Sequence, residues 1–289
     1  MNFKDNRIIG YAIILAIYFI ATISGLIIYL NLHMAVWLNL MLADIAATLV
    51  VYLFSAIFRN ASVYDPYWSV APAVIITAFS LYAGPLSPIK IGLIIIISLW
   101  SFRLTVNWAY TFKGMGHQDW RYTMLKEKMG GIYPLVNFFG IHLFPTMVVY
   151  LCIVPAVYLI NYSGNISLTS KIFVYAGFGI SLMGITLEAV SDYQMHRFQF
   201  LKKGGFIRSG LWKYSRHPNY LGEILMWWGV AIACCVVTNR WYFLAGAAIN
   251  TLMFLIVSIP IADERQAKKQ GYEEYKNETN SLLPIKTKK

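Results

Sequence analysis

Charge is what this sequence has least of. Asp, Glu, Lys and Arg make up 13% of its 289 residues, where a soluble domain carries roughly a quarter. With 58% hydrophobic residues alongside, that shortage excludes an ordinary soluble domain. Cysteine is scarce as well: Cys152, Cys234 and Cys235 all fall inside apolar runs. Their spacing fits neither a zinc site nor a disulfide framework, and no metal is expected. Acidic residues are outnumbered 24 to 13, for a net charge of +11. The basic residues sit in short segments between apolar runs, so the excess speaks to membrane topology and not to nucleic acid. No small-residue cleavage pattern follows Lys4 and Arg7, so the first apolar run reads as a retained span. Internal repeats are missing. So is the Gly-rich fingerprint of soluble dinucleotide folds, since Gly177 and Gly179 lie in mid-membrane, where helix packing explains them.

What is present is a series of apolar runs near the length that crosses a bilayer, about 20 residues. Eight emerge, at 8–30, 35–58, 66–83, 89–110, 138–161, 172–193, 219–237 and 241–262. Pro66 and Pro72 make the third the weakest. With the N-terminus inside, the inner segments hold twenty Lys and Arg, the outer loops hold only Lys90, Lys171 and Arg240, and Arg103 lies within a span. That bias predicts an all-α integral membrane protein of about eight transmembrane helices, with a cytoplasmic cap and both termini cytoplasmic. The chain reads as one multi-pass domain over 1–289, with N-terminal spans to 64, a core from 65 and a cytoplasmic tail from 263. Its place is a cell membrane if bacterial, which is the expectation, or the endoplasmic reticulum if eukaryotic.

Polar residues inside such a chain are expensive and mark function by default. Asp65, in SVYDPYWSVAP, reads either as a turn residue before proline or as a desolvated carboxyl able to donate a proton. Trp100, Arg103 and Asn107 share a helix face in SLWSFRLTVNW, and Arg103 either snorkels to the interface or pairs with an anionic group. GHQDWRY at 116–122 adds Asp119, Arg121 and Tyr122. Glu188, Asp192 and His196 follow one another at i, i+4 spacing in LEAVSDYQMHRF. Such carboxylates suit ribose hydroxyls, with Lys202, Lys203 and Arg208 nearby for phosphates; for His196 alone a solvated helix end is the better reading.

The densest polar cluster lies in GLWKYSRHPNYLGEILMWWG at 210–229. Pro218 forces a turn after Arg216 and His217, Asn219 is placed to cap the next helix, and free N–H groups beside Arg216 would hold an anion. Tyr220 and Glu223 sit on the first turn. The tail ADERQAKKQGYEEYKNETNSLLP is a candidate lid over this cluster, bringing Asp263, Glu264, Arg265 and Tyr275.

These two C-terminal stretches, with YDPYWSVAP, WSFRLTVNW and GHQDWRY, resemble the DUF1295 family and its steroid 5-alpha-reductase and sterol C14-reductase relatives, from about Asp65 onward. The resemblance implies an NADPH-dependent membrane reductase acting on a carbon–carbon double bond of a steroid-like or other hydrophobic lipid. It implies a cofactor cavity facing the cytoplasm, with Asn219, Asp192, Glu223 and Tyr275 beside the cofactor and Arg103 toward its phosphates or the catalytic pocket. Arg216, His217, Tyr220 and Asp263 complete the expected cofactor-binding set. Asp65 matches the carboxylate that the steroid reductases use to polarise a carbonyl, and Trp100 falls where they have a tyrosine. Asp65, Trp100 and Tyr67 are therefore the expected catalytic set, with Tyr64 or Tyr110 as other hydroxyl sources. An S-adenosylmethionine-dependent lipid or isoprenylcysteine-type methyltransferase is the alternative, because those membrane enzymes also carry an RHPxY-like turn. A sterol sensor or scaffold without catalysis is a third.

Overall fold

Long apolar runs have few ways to satisfy their backbone in lipid, and the helix, which bonds its own N–H and C=O groups internally, is the one used here. The structure, a computed structural model, describes residues 6–201 and 204–284, and among these it is all-helical. Lys4, Lys202, Lys203, Lys286, Lys288 and Lys289, counted in the charge bias, lie outside the described residues. In order come α1 (Arg7–Asn31), α2 (Val36–Phe58), α3 (Tyr67–Tyr82), α4 (Pro88–Thr111), α5 (Trp120–Met129), α6 (Tyr133–Val136) and α7 (Phe144–Ile160). They are followed by α8 (Leu168–Phe200), α9 (Pro218–Thr238), α10 (Ala245–Met253), α11 (Ile259–Ala267) and α12 (Tyr272–Glu278). A π-helical segment at Asn137–Leu143 joins α6 to α7, and another at Phe254–Ser258 joins α10 to α11.

Among the described residues, seven helical stretches are long and apolar enough to cross a membrane: α1, α2, α4, Trp120–Ile160, α8, α9 and Trp241–Ala267. The third of the eight expected runs does form a helix, but α3 has only 16 residues, with Pro72 inside. At 1.5 Å per residue it reaches about 24 Å, short of a hydrocarbon core of about 30 Å.

The chain divides into two compact units. The first comprises the described residues up to 75 and 101–154. There α1 lies close along α2, with a Cβ on Gly25 falling 3.1 Å from the Ala43 carbonyl oxygen. Asn6 caps α1 through Ile8 N and Ile9 N, and Tyr18 donates to the Val63 carbonyl at 2.7 Å. The 116–122 loop is fastened to the turn after α2: Asn60 Nδ2 donates to Met115 O at 2.7 Å, and Asp119 N donates to Ser62 Oγ at 2.8 Å.

The second unit comprises 76–100 and the described residues from 155 on. Its centre is the α8–α9 pair, where backbones touch because side chains are missing at the crossing. A Cβ on Gly177 would stand 2.6 Å from Gly229 O, and one on Gly184 2.5 Å from Gly222 O. Ser181 Oγ donates across the pair to Met226 O at 2.9 Å. The expectation that Gly177 and Gly179 both serve helix packing is half corrected: a Cβ on Gly179 meets nothing within 4 Å.

Candidate functional site

Helix α9 begins at Pro218, whose missing N–H costs nothing at that position, with His217 before it and no side-chain cap. Asn219 is therefore the second helical residue and not the cap the sequence led us to expect. Its Oδ1 is buried and has no hydrogen-bond partner.

The residues leading into α9 are held from the tail. Asp263 on α11, 7% exposed, accepts from Arg216 Nη2 at 2.9 Å on one oxygen. On the other it accepts from His217 Nε2 at 2.9 Å and from the Tyr272 hydroxyl at 2.5 Å. A carboxylate has only acceptors to offer, so His217 carries its proton on Nε2. Burial raises the Tyr272 phenol, as does its hydrogen bond to Asp263, so that hydroxyl remains a donor. Arg216 Nη1 donates to the carbonyls of Lys276 and Thr279. The backbone N–H groups of Arg216 and His217 donate to Asn280 O and Ser281 O, each at 3.0 Å. These N–H groups precede the helix, so the tail engages the approach to α9 and not the N–H groups of its first turn. Tyr220 stacks on His217, ring centroids 5.1 Å apart and planes 5° from parallel. Tyr275 donates to Trp212 O, and burial pushes its phenol up to about 12. Arg208 donates to Gly271 O at 2.5 Å and stacks 4.7 Å from the Phe206 ring.

One turn into α9, Glu223 is 4% exposed, and each of its oxygens accepts an indole N–H, from Trp100 at 2.7 Å and from Trp227 at 2.8 Å. The two indoles meet edge to face at 4.9 Å. Trp100, placed by resemblance in a catalytic position, is thus a fully buried donor to a carboxylate. Asp192 lies one turn after the buried Glu188 on α8 and is partly exposed. Beside it Trp212 Nε1 donates to Ser191 O at 3.2 Å, and Gln194 Oε1 accepts from Leu211 N at 2.9 Å.

The remaining expected residues belong to the first unit. Arg103 lies on its part of α4. Asp65 accepts the Tyr122 hydroxyl at 2.5 Å. Burial pushes its carboxyl up to about 6, although Arg121 and that hydrogen bond pull the other way. Tyr67 donates to Asp44 Oδ1 at 3.0 Å. Both line a cavity of about 10 Å³ with Trp68, Pro72, Thr146 and Tyr150, the size of one water or one ligand oxygen. Tyr64 is bonded to Thr146 Oγ1 at 2.8 Å, and Thr48 to the same oxygen at 3.1 Å. Thr146 donates its single proton to His142 O at 2.9 Å, so Tyr64 and Thr48 donate into it. Tyr110 is exposed. The sequence reading missed Asp44. An acidic residue in mid-span, in LADIAATL, was the available signal.

A family model described as a protein of unknown function, DUF1295, matches residues 51–279. An uncharacterized protein of Schizosaccharomyces pombe is 29% identical over 196 residues, 58% of this chain and 56% of that protein. The 3-oxo-5-alpha-steroid 4-dehydrogenase 1 of Macaca fascicularis is 32% identical over 114 residues, and the human enzyme of that name 30% over the same length, 38% of this chain and 40% of each. The matches thus span about half or less of these relatives. All three are eukaryotic proteins, which leaves the expected bacterial location without support. No solved structure matches the chain.

Proposed function

The chain belongs to the DUF1295 family, and on that premise we propose that it is a membrane-embedded, NADPH-dependent reductase that saturates the carbon–carbon double bond of a hydrophobic, steroid-like enone. The observation that carries this reading is the similarity to two primate 3-oxo-5-alpha-steroid 4-dehydrogenases. The start of α9 fits the cofactor chemically. A buried acceptor on Asn219 lacks a donor, and an unmet buried group is costly; a carboxamide N–H or a ribose hydroxyl would satisfy it. Asn219, with Tyr220 and Asp192, would hold the cofactor, and Glu223 would be kept in place by its two indoles. When bound, NADPH supplies the hydride.

The chain's own part lies with an O–H donor. Tyr67 lines the cavity and at rest donates to Asp44. A Tyr67 hydrogen bond to an enone carbonyl oxygen would stabilise the negative charge that gathers on that oxygen as the double bond is reduced. A single preorganised donor of this kind is worth about 10²–10³ in kcat. Apolar walls such as Trp68, Ile75 and Ile153 lower the local dielectric and strengthen the bond.

Thermal unfolding of the purified protein tests the cofactor. NADPH at 100 times its Kd should stabilise the fold by about 2.7 kcal/mol, and S-adenosylmethionine should leave it unchanged. Tyr67→Phe should keep the NADPH shift and lose about 10²-fold in turnover of enone lipids. A shift with S-adenosylmethionine alone would turn the assignment to a methyltransferase.

A further inference from the structure

We propose that Asp263 is a positioning residue for the cofactor-side site, acting on Asn219 through the start of α9; the inference rests on the reductase reading for the identity of the ligand. Three donors from two separate segments converge on one carboxylate, Arg216 and His217 from before α9 and Tyr272 from α12. Around that hub, the carbonyls of Asn280 and Ser281 take the N–H groups of Arg216 and His217, and Ser215 Oγ donates to Ser281 O at 3.1 Å. Residues 215–217 are thus held on the tail by backbone and side chain at once, and Pro218 fixes the next φ. Asn219 follows directly, and its buried oxygen has no hydrogen-bond partner among the described residues.

The arrangement explains why an Arg and a His, both suited to phosphate, are turned to a carboxylate here. Their work is to orient the helix start. A carboxylate is required at the hub, because a neutral amide offers one acceptor where three donors arrive and adds donors of its own.

The test uses the full-length protein in detergent, comparing wild type with Asp263→Asn, Asp263→Glu, Asn219→Ala and the Asp263→Asn/Asn219→Ala double variant. Backbone hydrogen exchange of Arg216 and His217 should quicken about tenfold in Asp263→Asn, with the α8–α9 amides unchanged. The Kd for NADPH should rise about tenfold, as in Asn219→Ala. Asp263→Glu should recover part of both. The double variant should bind no more weakly than Asn219→Ala alone, since residues acting through one contact are not additive. Additive losses, wild-type affinity despite faster exchange, or unchanged exchange would each overturn the proposal. If Asp263→Asn does not fold, Tyr272→Phe removes one donor from the hub and should show the same non-additivity with Asn219→Ala. Wild-type protein indifferent to NADPH would reject the reductase reading but not the clasp, which the exchange comparison decides by itself.

Discussion

Burial outweighs the pull of Arg121 and Tyr122 at Asp65, and its carboxyl titrates at about 6 instead of near 4. The folded protein therefore holds this proton more tightly than the unfolded chain. Asp65 contributes nothing below pH 4, becomes progressively destabilising between about pH 4 and 6, and costs its full amount above. That amount is on the order of 2 kcal/mol, less than the whole shift implies because Asp65 keeps some contact with water. Asp65→Asn, which preserves an acceptor for Tyr122, should match wild type at pH 4 and unfold at a higher temperature at pH 7.5; a gap that stays constant across that range would contradict the account. Asp65 was legible in the sequence because proline and tryptophan crowd it. Asp44 carried the signal of an acidic residue in mid-span, but its partner Tyr67 was not legible, because periodicity places a residue on a face without saying which hydroxyl stands opposite. Glu223 was legible as a polar group on a membrane helix, yet the indoles that bind it come from four residues along its own helix and from α4.

Among the elements, α1, α2, α3, α4 and α9 end within one residue of the apolar runs read for them, since hydropathy and length decide a span, whereas α8 continues as helix past its apolar run at both ends. How two spans meet depends on the turn of the helix. Gly179 follows Gly177 by about 200° and so faces away, whereas Gly184, seven residues on, returns to within about 20° of Gly177. Gly222 and Gly229 repeat the same interval on α9. Gly184→Ala would set a methyl group 2.5 Å from Gly222 O and 2.7 Å from Met226 N, where only backbone can yield. It should cost about 1–3 kcal/mol. Gly179→Ala, with open space around it, should be neutral or stabilise by up to about 1 kcal/mol. Paired melting curves check both, and equal destabilisation would mean the pair does not meet at these glycines.

For the whole molecule, sidedness turns on α3. Seven stretches among the described residues have spanning length and α3 falls short; if local thinning of the bilayer accommodates it, the crossings number eight and both ends share the Lys- and Arg-rich side. Reporter fusions at each end should both signal the cytoplasm. Opposite signals would mean that α3 turns back before crossing. The fold class followed from composition and from the lengths of the apolar runs. The tail was expected as a lid over the start of α9, but which residues fasten it was not legible, because a charged amphipathic stretch does not say that Asp263 gathers Arg216, His217 and Tyr272.

That attachment also sets an order of assembly. Residues 215–217 leave the ribosome about sixty residues ahead of their partners at 279–281, so during synthesis α9 inserts with its first turn unlatched. Its final geometry arrives as a separate, later event, and the nascent chain passes through the membrane-insertion machinery before the start of α9 is fastened.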